Sequence, residues 1–158
     1  MSNGLKVKKR NGRGTESLNL DKIHRMVEEA CKGLAGVSAS QVEIQSGLQF
    51  YDGITTGEIQ DILIKSASDL ITLDNPNYQF VAARLLLFSL RKALYGRTRE
   101  LPPLEQHIYN CTNMDVYDKD IFTKYSKEEI DKADSYIDHE RDFLFTYAGL
   151  RQVVDKYL

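Results

Sequence analysis

The chain has 158 residues, of which 42% are apolar and 28% are charged, and its formal net charge at pH 7 is -2. This length fits one domain of ordinary size, or a small domain with an appendage, and the charge argues against a general nucleic-acid-binding protein. The sequence contains no apolar run long enough for a transmembrane helix. Its two cysteines, Cys31 and Cys111, come without a signal peptide or a Cys-x-x-Cys pair, which favours a reducing cytoplasm.

The first predicted element is a β-hairpin that leads into a helix over residues 7–23. Asn11-Gly12 is the strongest short hairpin signal, and Asn19 can cap a helix that begins near Asp21. No acid precedes Glu16 in the chain, whereas five basic residues do: Lys6, Lys8, Lys9, Arg10 and Arg13. We therefore expect a positively charged hairpin that suits a phosphate-bearing ligand.

Two amphipathic helices are predicted after the hairpin turn. Apolar residues recur at helical spacing from Ile23 to Leu34, and Gly33 is placed to end the first helix. Ser38 and Gln41 match a capping box, so a second helix is expected to run to about Phe50.

The next segment predicts a third strand and two further helices. Asp52-Gly53-Ile54-Thr55 is short and β-branched, so it can add a strand to the hairpin. Either Thr55 or Thr56 can cap the third helix, and the sequence leaves both alternatives open. Asn75-Pro76 matches a cap residue followed by proline at the first helical position, and the fourth helix should continue to Tyr95, before a glycine.

Residues 97–103 contain two prolines and are typical of a connector. Beyond them the pattern is helical but less regular, with a capping box and a hydrophobic staple between Tyr125 and Ile130. An apolar stripe ends the chain: Tyr147, Leu150, Val154 and Leu158. The predicted fold class is mainly α, with four helices covered by a small sheet, and we expect the chain to be a piece of a longer protein.

The sequence has no motif of a common catalytic chemistry. It lacks a Walker-type phosphate loop, and Gly12-x-Gly14-x-x-Ser17 lacks the last glycine of the dinucleotide fingerprint. His107 and Cys111 are four residues apart, but two ligands without a third make a weak zinc site. No histidine lies near a recognisable nucleophile. We therefore expect a binding function, with no catalytic residue, no catalytic cofactor and no metal ligand in this chain.

Several segments together resemble one family. They are the Val-x-Lys-Arg hairpin at 7–10, Asn19 to Ile23, Phe50 to Thr56, Pro76 to Arg84, Leu90-Arg91-Lys92, Tyr95-Gly96, and His139 to Asp142. With these motifs the whole chain is similar to the N-terminal region, including the ATP-cone, of the large (alpha) subunit of class I ribonucleotide reductase.

This resemblance implies a fold and a domain organisation. A four-helix ATP-cone capped by a three-stranded β-sheet is expected over residues 1–96, followed by a connector over 97–103. Residues 104–158 would be the truncated helical start of the catalytic-subunit body, which leads into the catalytic barrel. Because the barrel that carries the radical cysteine lies outside these segments, the chain is expected to be a regulatory portion of an oxidoreductase.

The resemblance also implies an allosteric site for ATP or dATP, with Mg²⁺ accompanying the triphosphate. The residues expected at the phosphates are Lys9, Arg10, Thr56 and Lys92. Those expected at the adenine are Glu16, Asn19 and Lys22. The pocket walls are expected to be Val7, Leu18, Ile23, Ile59 and Phe88. Gln60 stands where the family pattern often has histidine; it is the possible sugar contact, and its amide cannot become cationic.

Each of these assignments has a purely structural alternative. Lys9 and Arg10 can be solvated residues that protect an edge strand. Glu16 and Lys22 can form an ordinary surface pair of little energetic value. Lys92 can lay its stem along the core and place its charge in water. Only the joint match to the family pattern favours a binding site.

The function implied by the resemblance is allosteric control of deoxyribonucleotide synthesis for DNA replication, with ATP activating and dATP inhibiting. The expected partners are the remainder of the large subunit and the radical-carrying small (beta) subunit, in a larger cytoplasmic oligomer, without nucleic acid or membrane. Two alternatives stay open: a degenerate cone that acts only in subunit assembly, which the Gln60 departure allows, and a nucleic-acid-binding module built on the basic hairpin. A cone-containing transcriptional repressor of reductase genes would carry a zinc ribbon with paired Cys-x-x-Cys motifs, which this sequence lacks.

Overall fold

A computed structural model describes residues 4–9, 12 and 14–158. Two strands, β1 (Lys6–Lys8) and β2 (Thr15–Ser17), form an antiparallel hairpin in which Val7 lies opposite Glu16. In the turn, the N–H of Gly12 donates to the carbonyl of Lys9 at 3.0 Å. The predicted hairpin is thus confirmed, whereas three residues of its tip lie outside the described residues: Arg10, Asn11 and Arg13.

The third strand predicted over residues 52–55 is reduced to a single bridge. The described strands form a two-stranded sheet, to which Thr55 adds only an isolated parallel bridge with Lys8. Gly53 adopts a left-handed φ of 83°, and the helix that follows begins at Thr56, so too few residues are extended to form a strand. The segment still ties the hairpin down, because the N–H of Lys8 donates to Ile54 at 2.9 Å.

The described residues are mainly helical. The α-helices are α1 (Leu20–Cys31), α2 (Ala39–Gly47), α3 (Thr56–Asp69), α4 (Tyr78–Tyr95), α5 (Leu104–Asn113), α6 (Ile121–Lys124), α7 (Lys127–Asp134) and α8 (Tyr147–Tyr157). A 3₁₀ segment covers His139–Leu144, between α7 and α8. None of the helices within these described residues is long and apolar enough to cross a membrane.

The predicted boundaries of α1 are close to the observed ones. The side chain of Asn19 accepts a hydrogen bond from the N–H of Lys22 at 3.0 Å, so Asn19 is the N-cap. The helix ends at Cys31, two residues before Gly33, whose φ is 74°. A left-handed residue at this point ends a helix, which is the role that the sequence predicted.

The predictions for α2 and α4 are wrong in detail. Ser38 does cap α2, but Gln41 does not complete the capping box, because its side-chain oxygen accepts a hydrogen bond from the Tyr78 hydroxyl instead. Helix α2 also ends at Gly47 rather than near residue 50. Helix α4 begins two residues later than predicted, because Pro76 and Asn77 form a turn before it, and Asn77 uses its side chain to reach Ala35.

The core lies between α3 and α4, with α1 and α8 packed against α4. Leu63 of α3 and Leu85 of α4 are completely buried at its centre. Leu150 of α8 is buried in the same core, so the packing continues into residues beyond the predicted connector. In the same region the predicted capping box of α7 is confirmed, with Ser126 and Glu129 as its two members.

A charged contact fastens the 3₁₀ segment to α4. The side chain of Arg91 is only 8% exposed and pairs with Asp142, with 2.7 Å between Nη2 and Oδ2. The guanidinium carbon of Arg91 lies 5.2 Å from the centre of the Phe143 ring. Removing the carboxylate would therefore leave a buried cation without its partner.

We predict that Asp142→Ala lowers the free energy of unfolding by about 2 kcal/mol, the usual cost of losing a hydrogen bond between charged groups. The matched control is Asp155→Ala, since Asp155 forms a pair of the same 2.7 Å length with Arg151 on the surface of α8. That change should cost less than about 0.5 kcal/mol. Urea denaturation of both variants measures the difference, and equal costs would contradict the structural role of the Arg91–Asp142 pair.

Candidate functional site

A cavity of about 170 Å³ opens beneath the hairpin, between α1, α3 and the end of α4. It is lined by Val7, Glu16, Ser17, Leu18, Asn19, Lys22, Ile23, Met26, Thr56, Ile59, Gln60 and Lys92. One buried water needs about 10–15 Å³, so this space accommodates much more than a trapped solvent molecule.

The first turns of α1 and α3 both line this cavity. Asn19 and Lys22 come from the start of α1, and Thr56 comes from the first position of α3. The first N–H groups of a helix lack partners within the helix and carry the positive end of its dipole. Two helix starts that face one cavity therefore favour a negatively charged group in it.

The structure decides between the two candidate caps of α3. Thr55 is the N-cap, because its hydroxyl accepts a hydrogen bond from the N–H of Glu58 at 3.1 Å. The carboxylate of Glu58 accepts in return from the N–H of Thr55 at 2.8 Å, which completes a capping box. Thr56, the next residue, lines the cavity.

The hydrogen bonds of this capping box change the acidity of Glu58. Bonds from the N–H of Thr55, its hydroxyl and the Tyr51 hydroxyl stabilise the carboxylate, so they lower the pKa of Glu58 from its ordinary value of 4.5. The charge of Lys8 acts in the same direction. The box therefore contributes its full stability above that ordinary pKa.

The charged residues at the cavity are mostly basic. Lys22 and Lys92 line it, and Lys92 lies in the last turn of α4, where its cation also complements the helix dipole. Glu16 is the one acid among the lining residues, and its Oε2 lies 3.4 Å from Nζ of Lys9. Lys9 itself is not among the residues that line the cavity.

Apolar side chains form the walls. Val7, Ile23 and Ile59 are buried, and Leu18 and Met26 are partly buried against the core. Phe88 is buried but does not line this cavity; its ring packs edge-on against Phe143, with 6.1 Å between the ring centres. The wall predicted at Phe88 is thus made by other side chains.

Gln60 lies at the inner end of the cavity, where it is only 6% exposed. Its amide nitrogen donates to the carbonyl of Leu85 in α4 at 3.1 Å. This bond fixes the direction of the amide group, and it leaves the carbonyl oxygen as the end that can accept from a ligand.

The structure gathers most of the predicted site residues around one space. Those in its lining are Val7, Glu16, Leu18, Asn19, Lys22, Ile23, Thr56, Ile59, Gln60 and Lys92. Lys9 and Phe88 do not line it, and Arg10 lies outside the described residues. The sequence prediction did not include Ser17 or Met26, although Met26 falls in the same helical stripe as Ile23. The contacts of all these residues with a ligand stay predictions.

The cysteines and histidines lie away from this cavity. His107 is within 3.6 Å of the Cys111 sulfur and within 3.4 Å of the hydroxyls of Tyr95 and Tyr117. Burial raises the pKa of Cys31 to about 11, so its thiol is neutral at pH 7. Among the residues that the structure describes, no three His, Cys, Asp or Glu side chains are grouped closely enough to hold a metal ion.

Comparison with known proteins shows the family to which the chain belongs. The ATP cone domain family matches residues 5–93, and the chain belongs to this family. Over all 158 residues it is 48% identical to the ribonucleoside-diphosphate reductase 1 subunit alpha of Escherichia coli (strain K12) and 47% identical to the ribonucleoside-diphosphate reductase subunit alpha of Haemophilus influenzae. It is 40% identical over 146 residues to the corresponding subunit of Enterobacteria phage T4, a match that covers 91% of this chain.

The chain is short relative to these proteins. It spans about a fifth of their length, with 20% of the Escherichia coli subunit and 19% of the phage subunit covered. The similarity to the bacterial subunits extends through residue 158, well past the end of the match to the ATP cone domain.

We predict that Glu58→Gln changes how stability depends on pH. The pKa of Glu58 is lowered in the folded state, so its contribution is complete above 4.5 and is lost as the pH falls below that value. Glutamine can accept the same hydrogen bond but does not titrate. The stability advantage of the native chain over the variant, measured by urea denaturation between pH 7 and pH 3, should therefore shrink below pH 4.5. A constant difference over that range would contradict the role of this carboxylate.

Proposed function

We propose that the cavity beneath the hairpin binds ATP or dATP, and that the chain is an allosteric activity-regulating part of a ribonucleoside-diphosphate reductase. The observation that carries this proposal is the composition of the cavity: two helix starts, two lysines, a carboxylate and an asparagine converge within apolar walls. Membership in the ATP cone domain family and the names of the relatives support the same conclusion.

The triphosphate belongs at the end of the cavity formed by Thr56 and Lys92. The start of α3 supplies backbone N–H groups there, and the ammonium of Lys92 supplies a charge-assisted donor. Lys9 can reach the same region from the hairpin, and Arg10 completes the proposed set of phosphate-binding residues. Mg²⁺ would accompany the phosphate oxygens, as it does in most nucleotide sites.

The adenine belongs at the end formed by Glu16, Asn19 and Lys22. Asn19 uses its side-chain oxygen to cap α1, so its amide nitrogen is the group left for a ring nitrogen of the base. Glu16 can accept from the exocyclic amine, and Lys22 can donate to a second ring nitrogen. Val7, Leu18, Ile23 and Ile59 supply the apolar surfaces for the ring, with Met26 beside them.

The sugar belongs next to Gln60. The amide nitrogen of Gln60 is already bound to Leu85, so the carbonyl oxygen is the acceptor that a ribose 2′-hydroxyl would use. ATP can donate this hydrogen bond and dATP cannot. This contact would give ATP and dATP different interactions with the cavity. To set the regulatory outcome, the strength of the contact must also differ between the active and the inhibited state, because a ligand changes an equilibrium only by binding its two states with different affinity.

We extend the proposal to the domain organisation and the partners. Residues 1–96 form the cone, with α1 to α4 as its four helices, 97–103 connect it, and 104–158 begin the catalytic-subunit body. The partners are the rest of the large subunit and the radical-carrying small subunit, in a cytoplasmic oligomer. The end of the family match at residue 93 supports the first boundary.

Calorimetric titration of the chain with ATP, dATP and GTP tests the function directly. Saturable binding of ATP and dATP, with weaker binding of GTP, is expected. Binding that ignores the base and weakens steeply with salt would instead favour the nucleic-acid alternative. If neither ATP nor dATP binds, the result would favour the other alternative, a degenerate cone that acts only in subunit assembly.

We predict that Lys92→Ala weakens ATP binding by more than about tenfold, since charge-assisted hydrogen bonds of this kind contribute about 1.5–3 kcal/mol. Lys156→Ala is the matched control, because Lys156 is an exposed lysine in the last turn of another helix, α8. This control should bind ATP as the native chain does. Unchanged affinity in Lys92→Ala would remove Lys92 from the site.

We predict that Asn19→Ser erodes the preference for adenine over guanine without unfolding the chain. Serine keeps an N-cap acceptor but lacks the amide nitrogen, so the variant separates capping from base recognition. Asn19→Ala is the comparison, since it removes both and should also destabilise the fold by about 1 kcal/mol. Calorimetry with ATP and GTP measures the selectivity; if serine preserves it, the base is recognised by other residues.

A further inference from the structure

The face of the hairpin that carries Val7 also carries two opposite charges, those of Lys9 and Glu16. In the β-ladder Val7 lies opposite Glu16, so both side chains are on one face, and the buried Val7 shows that this face is the inner one. Lys9 is two residues beyond Val7 and continues the pairing through its N–H, which donates to Gly14 at 3.1 Å. Lys9 therefore shares the inner face with Glu16.

These two residues form an ion pair that a ligand can break. Nζ of Lys9 lies 3.4 Å from Oε2 of Glu16, and the two side chains are 46% and 40% exposed. Ion pairs with this exposure contribute little, on the order of a factor of two to five in an equilibrium constant. Glu16 lines the cavity at the end proposed for the base, whereas Lys9 is not among the lining residues.

We propose that Lys9 exchanges partners when a nucleotide binds: its ammonium leaves the carboxylate of Glu16 and binds the phosphates instead. This inference rests on the proposed function and concerns how the two ends of the ligand are coupled. In the free chain, Lys9 neutralises Glu16 and reduces its value as an acceptor. A polyphosphate offers Lys9 several charged oxygens in place of one carboxylate. Once Lys9 has moved, the carboxylate of Glu16 is free to accept from the exocyclic amine of adenine.

The exchange makes recognition of the base depend on the phosphates. A triphosphate recruits Lys9 and frees Glu16, so selectivity for adenine should be strong. A monophosphate recruits Lys9 less effectively, so Glu16 stays paired and selectivity should be weaker. Glu16 and the phosphates also compete for Lys9, because the Lys9–Glu16 pair must break before Lys9 can bind the phosphates.

The first test measures this competition with inorganic tripolyphosphate, which has no base. Calorimetry of the native chain, Glu16→Gln, Lys9→Met and the double variant forms a double-mutant cycle. Glu16→Gln should bind tripolyphosphate about two- to fivefold more tightly than the native chain, because Lys9 is released in advance. In the Lys9→Met background the same change should have no more than a small effect.

The controls of this cycle separate partner exchange from simple repulsion. If Glu16 only repelled the anion, Glu16→Gln would strengthen binding equally in both backgrounds, and that result would overturn the proposal. Absence of tripolyphosphate binding to the native chain would also overturn it. Asp21→Asn is the matched control for loss of a nearby acid in the first turn of α1, and it should not reproduce the gain. Circular dichroism of each variant checks that the chain is folded.

The second test compares selectivity between ligands. The ratio of ATP to GTP affinity should exceed the ratio of AMP to GMP affinity by about two- to fivefold in the native chain. In Lys9→Met the two ratios should become equal, because no lysine at position 9 pairs with Glu16 and its carboxylate is available to the base with either class of ligand. Equal ratios in the native chain would overturn the exchange while leaving nucleotide binding intact. Failure of all four nucleotides to bind would instead overturn the proposed function.

Discussion

The cavity depends on main-chain hydrogen bonds that tie the hairpin to the loop before α3. The N–H of Lys8 donates to Ile54 at 2.9 Å, and the N–H of Gly53 donates to Lys6 at 2.8 Å. Backbone groups must be paired wherever they are buried, so these bonds fix the hairpin in place whatever side chains it carries. As a result, Glu16 lies above the starts of two helices, and three distant parts of the chain contribute to one space.

Helix α4 connects this space with the C-terminal part of the chain. On one side its Leu85 carbonyl holds Gln60, and its last turn presents Lys92 to the cavity. On another side Arg91 holds Asp142, beside the ring of Phe143. If nucleotides bind as proposed, contacts at Gln60 and Lys92 act on the helix that also anchors the 3₁₀ segment. A regulatory signal needs such a shared element, whose position both ends can bias.

Local signals in the sequence correctly predicted helix starts at which the capping side chain bonds to a backbone N–H only three residues along the chain. Asn19 and Ser126 cap the helices that were predicted to begin next to them. Thr55 caps α3 and is one of the two candidate caps, Thr55 and Thr56, that the sequence allowed. The capping box predicted for α2 is incomplete because a distant partner takes the capping group: Gln41 accepts from Tyr78, 37 residues along the chain. A local pattern contains no information about such partners, because they depend on how the helices pack.

The same distinction applies to the candidate site. The family pattern predicted most of the lining residues, and it also included Phe88, which is buried but does not line the cavity. The sequence could not show that the ring of Phe88 packs against Phe143 of the 3₁₀ segment instead of lining the cavity. The family match ends at residue 93, whereas the core continues to Leu150. The unit matched by the ATP cone domain family is therefore smaller than the unit defined by packing, and a change in the cavity has a direct structural path into the residues that follow this match.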